Sequence, residues 1–94
     1  MIIVSGRLYV DPGERAAYLD GCRGVIEQAR VAPGCHDFTL SADPLEEDRI
    51  NVYEVWESDE DVERFRGSGP SPAQQARIRD ASVARYRIAS VEAP

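Results

Sequence analysis

Between Pro33 and Ser58 the chain has little freedom in what it can build. Pro33-Gly34 is a turn, Cys35 to Ser41 reads as a strand, and Asp43-Pro44-Leu45-Glu46-Glu47-Asp48 is a polar connector. Arg49 to Glu57 reads as a second strand that runs into Ser58, a helix cap followed by Asp59-Glu60-Asp61. Two strands joined this closely pair as an antiparallel hairpin, with a longer loop than the commonest. In the second strand Ile50, Val52, Glu54 and Trp56 share one parity, and Asn51, Tyr53 and Val55 share the other. Both faces are partly apolar, which fits a sheet covered on both sides rather than one with a wet face.

The remaining elements follow from periodicity and punctuation. Ile2 to Val10 alternates as a strand, with Ile2, Val4, Leu8 and Val10 on one face and Gly6 among them. Asp11-Pro12-Gly13-Glu14 starts a helix by cap, first-turn proline and capping-box acid, and Ala32-Pro33-Gly34 stops it. Tyr18, Cys22, Val25, Ile26 and Ala29 make its apolar face. In the cap-started helix after Ser58, Val62 and Phe65 are apolar, and Arg64 and Arg66 suit its C-terminal dipole. Gly67-Ser68-Gly69-Pro70 breaks that helix and is a candidate hinge for a lid. Ser71-Pro72-Ala73-Gln74 restarts it, with Ala76 and Ile78 to pack it down, and Ser82 to Val91 alternates as a last strand. The order is α+β, a ferredoxin-like βαββαβ arrangement with a four-stranded antiparallel sheet, in one domain over residues 1–94.

Both helices of such a fold cover one sheet face, and nothing in this chain is left for the other. Four strands of about six residues present a face of roughly 400 Å², the size at which burial against a partner is expected. A homodimer, sheet against sheet about a two-fold axis, is the simplest cover. The alternative is a monomer with a polar outer face, for which Ser5, Arg7, Asp37 and Thr39 speak.

The formal net charge of −6 argues against nucleic acid or an anionic membrane as partner. There is no lysine, which excludes Schiff-base chemistry on a lysine side chain. Cys22 and Cys35 form no CxxC or zinc pattern, and a single histidine adds no metal site. No signal peptide or membrane span is read in the sequence, so a cytoplasmic protein with two free thiols is expected. The acidic runs lack the spacing of a calcium loop, and Gly67-Ser68-Gly69 lacks the context of a dinucleotide loop.

Several of these pieces, in this order and spacing, resemble the antibiotic biosynthesis monooxygenase family. They are the strand-one start, the Pro33-Gly34-Cys35 turn, Phe38, the Asp43-Pro44 connector and Glu54-Val55-Trp56-Glu57-Ser58. The similarity covers nearly the whole chain. It implies a dimeric α+β barrel with a pocket between sheet and helices in each subunit. It also implies oxidation of quinol-like or polyketide-like aromatics with O₂, often without any cofactor. The related haem degraders use an Asn in strand one, a Trp in the second helix and a His further on. Here those positions hold Gly6, Phe65 and the neighbourhood of Gln75, so haem cleavage is not expected. A histidine where this chain has Phe65, common in the family, is also missing. His36, directly after Gly34-Cys35, resembles a quinol-oxidising member.

A cofactor-free oxygenase needs a substrate anion that can give up an electron, hence an apolar pocket with a base and one or two donors. His36 is the candidate catalytic base by its ordinary pKa, or else a strand-edge histidine near the turn, exposed or bonded to a carbonyl. Trp56 and Phe65 are candidate ring-stacking residues on the pocket side, or core. Tyr18 and Cys22 are candidates for the pocket's other wall, or helix packing. Asn51 and Tyr53 are candidate donors to substrate, or interface residues; by parity they face away from Trp56. The function read here is a cofactor-independent monooxygenase, and the alternative is a non-catalytic dimeric module that shelters a small apolar ligand.

Overall fold

The structure is a computed structural model and describes residues 1–67 and 72–94. Four strands form one antiparallel sheet: β1 (Ile2–Tyr9), β2 (Cys35–Ala42), β3 (Arg49–Trp56) and β4 (Asp80–Arg87), in spatial order β2-β3-β1-β4. Helices α1 (Arg15–Gly21) and α2 (Arg23–Arg30) join β1 to β2, and α3 (Asp59–Arg66) and α4 (Pro72–Arg77) join β3 to β4. This is the ferredoxin-like α+β arrangement, with all helices serving one sheet face.

Antiparallel partners opposite one another share a face, so the register sorts the sheet into rows. On the helix side the rows are Cys35–Trp56–Ile2–Arg87, Phe38–Glu54–Val4–Arg85, Leu40–Val52–Gly6–Val83 and Ala42–Ile50–Leu8–Ala81. The apolar members of the first two rows pack with Ala29 and Val62. Val10, Tyr18, Cys22 and Ile50 form a second cluster nearer the other end, and Ile26 and Leu40 touch both. The opposite face carries Asn51, Tyr53 and Val55 of β3 and Ile3, Ser5 and Arg7 of β1, and no described helix covers it.

Local departures from the expected elements have local causes. The first helix is not continuous. Pro12–Glu14 is a 3₁₀ turn, and at Cys22 the chain tightens, its N–H bonding to Leu19 O at 3.0 Å before α2 begins. Gly21 and Gly24 flank that point, and each costs a helix about 1 kcal/mol relative to alanine, so continuity is weak there. Asp11 does not cap with its side chain. Its carbonyl accepts from Glu14 N, and its carboxylate lies 3.3 Å from Arg79. Val25, expected on the apolar face, is exposed, as is Ala76 on α4, while Ile78 does pack on the second cluster. Ser58 caps α3 as expected: its Oγ accepts from Asp61 N at 3.3 Å. The Ser68-Gly69-Pro70-Ser71 part of the candidate hinge and restart lies outside the described residues. The last strand is Asp80–Arg87, earlier than its alternation suggested, because β1 ends opposite it at Tyr9.

The β2–β3 connector is organised by one carboxylate. Asp43 Oδ2 accepts from the N–H groups of Leu45 and Glu46 at 3.0 and 2.9 Å, and Oδ1 accepts from Asn51 Nδ2 at 3.0 Å. These donors hold the Asp43 carboxyl down at about 2. The unfolded chain therefore binds this proton more tightly than the folded one, and the carboxylate's contribution to stability is present above the ordinary Asp value, about 3.9, and is lost as pH falls through about 2. Acid titration of stability by circular dichroism should show that loss between about pH 4 and pH 2 in the native chain, with a shallower slope in Asp43→Asn. Equal slopes would mean that the connector is held by Arg15, whose guanidinium donates to the carbonyls of Asp43, Glu46 and Arg49.

Candidate functional site

The chemistry-bearing side chains of the helix face collect at the β2-start, β3-end corner, under α3. Strand alternation points Glu54 and Trp56 of β3 inward, and the α3 spacing of Val62 and Phe65 closes over them. Phe38, Trp56 and Phe65 form an aromatic triangle. The ring centroids lie 5.4 Å apart for Trp56–Phe65, 5.8 Å for Phe38–Phe65 and 6.5 Å for Phe38–Trp56, the last at 86°. Edge-to-face and tilted pairs at such distances add to the stabilisation from area burial. Trp56 is fully buried and touches no open space in this conformation. Phe65 is half-buried; the same ring that lies against Trp56 also lines an open cleft of about 300 Å³ with Gln28, Ala32, Pro33, Asp61 and Arg64.

Glu54 is the one buried charged residue among the described residues, 7% exposed. Its Oε1 accepts the Trp56 indole N–H at 2.9 Å and lies 3.9 Å from the Arg66 guanidinium. Burial pushes the carboxyl above its ordinary value, against the opposing pull of the Trp56 N–H, Arg66 and Arg85. Beside it, Arg85 reaches Asp59 and Glu63 of α3, both at 2.8 Å, and Arg87 reaches Asp59 at 2.7 Å. These ion pairs fasten the exposed strand β4 to α3.

The other sequence candidates are placed elsewhere. His36 is not on the face of Phe38 and Leu40. Cys35 pairs with Trp56 and Asp37 with the next residue, Val55, so His36 is the extra residue of a β-bulge. It is exposed, with Nε2 2.7 Å from Glu57 Oε2, outside the aromatic triangle. The bulge is also why Cys35 and Phe38, three residues apart, both pack on the same cluster. Tyr18 and Cys22 are buried in the second cluster, apart from Trp56 and Phe65. Burial raises the pKa of both, and Arg77 lies 5.3 Å over the Tyr18 ring. Asn51 and Tyr53 are on the opposite sheet face, and the Asn51 amide is spent on Asp43 and Arg49. Glu54 was not singled out by sequence reasoning. The available signal was an acid on an otherwise apolar parity, two residues before a tryptophan whose buried N–H requires an acceptor.

Among the described residues no helix is long and apolar enough to cross a membrane, and no cluster of three His, Cys, Asp or Glu could hold a metal ion. Comparison with curated proteins gives no match. Solved structures share the fold. A Pseudomonas aeruginosa protein, PA3566, is 20% identical, with 94% of each chain covered and a TM-score of 0.78. A structure named as an antibiotic biosynthesis monooxygenase is 19% identical over 96% of this chain and 100% of that one, TM-score 0.81. The haem degrader MhuD of Mycobacterium tuberculosis, solved with two haems bound, is 20% identical over 99% and 100%, TM-score 0.68. The profile of one family matches residues 1–87, and by that match the chain belongs to the antibiotic biosynthesis monooxygenase family.

Proposed function

We propose that this protein binds a small aromatic molecule beneath α3 and oxygenates it with O₂. It acts as a cytoplasmic homodimer that hides the bare sheet face, without a bound cofactor. The observation that carries the reading is the aromatic triangle of Phe38, Trp56 and Phe65 lying directly behind the Phe65-lined cleft. Rotation of Phe65 toward the cleft exchanges its contact with Trp56 for one with an incoming ring of similar shape. A quinol-like or polyketide-like substrate supplies all four electrons itself. In the polyketide case a CH₂ carbon becomes C=O, one oxygen atom of O₂ enters the product, and the other leaves as water.

A second reading, a non-catalytic binding module, is favoured by one observation: His36 sits outside the triangle, paired with Glu57. The two readings separate in one experiment. Trp56 is the only tryptophan, so its emission reports ring binding without a label. Reduced naphthoquinols should quench it and should drive oxygen uptake above the autoxidation blank, with His36→Ala unchanged in both. Quenching without uptake leaves the binding module; no quenching and no uptake removes the site altogether. Light scattering should give twice the 10.4 kDa chain mass, and a mass of one chain would remove the dimer.

A further inference from the structure

We propose that Glu54 is the proton acceptor of the aromatic site, its Oε2 taking the hydroxyl proton of a phenolic ring bound under α3. This rests on the ring-binding reading above and adds the base that reading lacks. The two carboxylate oxygens differ. Oε1 is committed to the Trp56 indole N–H and faces Arg66, while among the described residues Oε2 accepts no hydrogen bond. Trp56 fixes the carboxylate against the triangle, so a ring that stacks on Trp56 brings its hydroxyl to Glu54 rather than to His36, which lies outside on the bulge. A base must sit within hydrogen-bond reach of the proton it removes, and geometry comes before pKa in choosing it.

Arg66 makes the transfer electrostatically tolerable. The Ar–O–H bond breaks, an O–H bond forms on Oε2, and no electron moves. Before transfer the site holds the Glu54 carboxylate with Arg66; afterwards it holds a phenolate with Arg66 and a neutral carboxylic acid. Net charge is unchanged, so no uncompensated ion is left in a poorly solvated place. The phenolate is then the electron-rich form that O₂ oxidises. Burial raises the Glu54 carboxyl toward the range useful for a base at neutral pH. The charged and titratable groups that face it among the described residues are Arg66 from α3, Arg85 from β4 and the Cys35 thiol from β2.

The test uses the whole chain and 4-nitrophenol, whose phenolate absorbs visible light and whose phenol does not. The pH is set about one unit below the ligand's own value, so that the free ligand is the neutral phenol. Binding is followed by Trp56 quenching, ionisation by absorbance, and proton release by calorimetry in buffers of different ionisation enthalpy. In the native chain the bound ligand should turn to phenolate with about zero protons released, because Glu54 keeps the proton. In Glu54→Gln phenolate should form against Arg66 only with release of about one proton per ligand bound, and affinity should rise about tenfold per pH unit below the ligand's pKa. Phenolate formation with a full proton released by the native chain overturns the proposal, as does a Glu54→Gln chain that forms phenolate with a proton count equal to the native one. Ligand that binds but stays neutral in the native chain overturns it while sparing the ring site. Absence of quenching removes the ring site and the proposal together. The native-chain count decides the matter even if the variant does not fold.

Discussion

Trp56→Ala is expected to lower the stability of the protein by about 3–5 kcal/mol, the range for emptying a well-packed aromatic site. A chain of this length is stable by roughly 5–14 kcal/mol, so the change removes between about a fifth and all of the total. Three losses combine. The fully buried ring leaves a void that Phe38 and Phe65 line on two sides. The edge-to-face contact with Phe38 goes. Glu54 loses the N–H that satisfies Oε1 in a site with little access to water. Because the variant lacks the only fluorophore of its kind, urea unfolding is followed by circular dichroism. With a slope of about 1–3 kcal/mol per molar urea, the midpoint should fall by about 2 M. Trp56→Phe refills most of the volume and isolates the hydrogen bond; its cost should be the smaller of the two. A fall of under about 1 kcal/mol for Trp56→Ala would show that the site collapses readily, and the packing described under α3 would be wrong.

Gly6→Ala has the second-largest expected effect, and it is felt in one place. A Cβ at Gly6 would lie 2.0 Å from Ser82 O and 2.7 Å from Val83 Cα, and the backbone φ of +155° already disfavours a side chain. The obstacle is backbone, so no rotamer change relieves it, and the cost belongs at or above the upper end of the 1–3 kcal/mol usual for overpacking, about 3 kcal/mol. β4 is an edge strand with every residue exposed, so its departure is the cheapest relief. Hydrogen exchange should therefore accelerate at amides shared by β1 and β4, while the β2–β3 ladder keeps its protection. Uniform acceleration throughout the sheet would mean instead that β4 is integral to the cooperative unit. A Gly6→Ala chain with native protection in β4 would contradict the close approach itself.

These two residues also show what could be read without coordinates. Trp56 and its parity were legible, because strand alternation and the helix cap at Ser58 are local signals that the fold does not overrule. The helix-face rows of β1 and β3 follow from them directly. The tightness at Gly6 was not legible, since a glycine in a strand says only that some backbone is near, and here that backbone is about 75 residues away in the chain. The break at Cys22 was hidden because the apolar spacing of Tyr18, Cys22, Ile26 and Ala29 survives a single tightened turn. In the candidate site Trp56 and Phe65 were paired in advance, while Phe38 and the acid were not. Glu54 lies on an apolar parity where an isolated acid usually marks an edge, and only the orientation of the Trp56 indole shows that it has been drawn inside. His36 attracted attention as the sole group with a near-neutral intrinsic pKa, but side-chain chemistry carries no information about which way a strand turns it.

The extra residue in β2 has a consequence for anyone aligning this protein with its kin. Upstream of His36 the odd-numbered position, Cys35, points to the helices; downstream the even-numbered ones do, at Phe38 and Leu40. A relative without the insertion keeps one phase throughout. Matching the two by counting from the Pro33-Gly34 corner then assigns inward residues of one to outward residues of the other. Transfer of roles along this strand has to be done by facing direction, with the count restarted at Asp37.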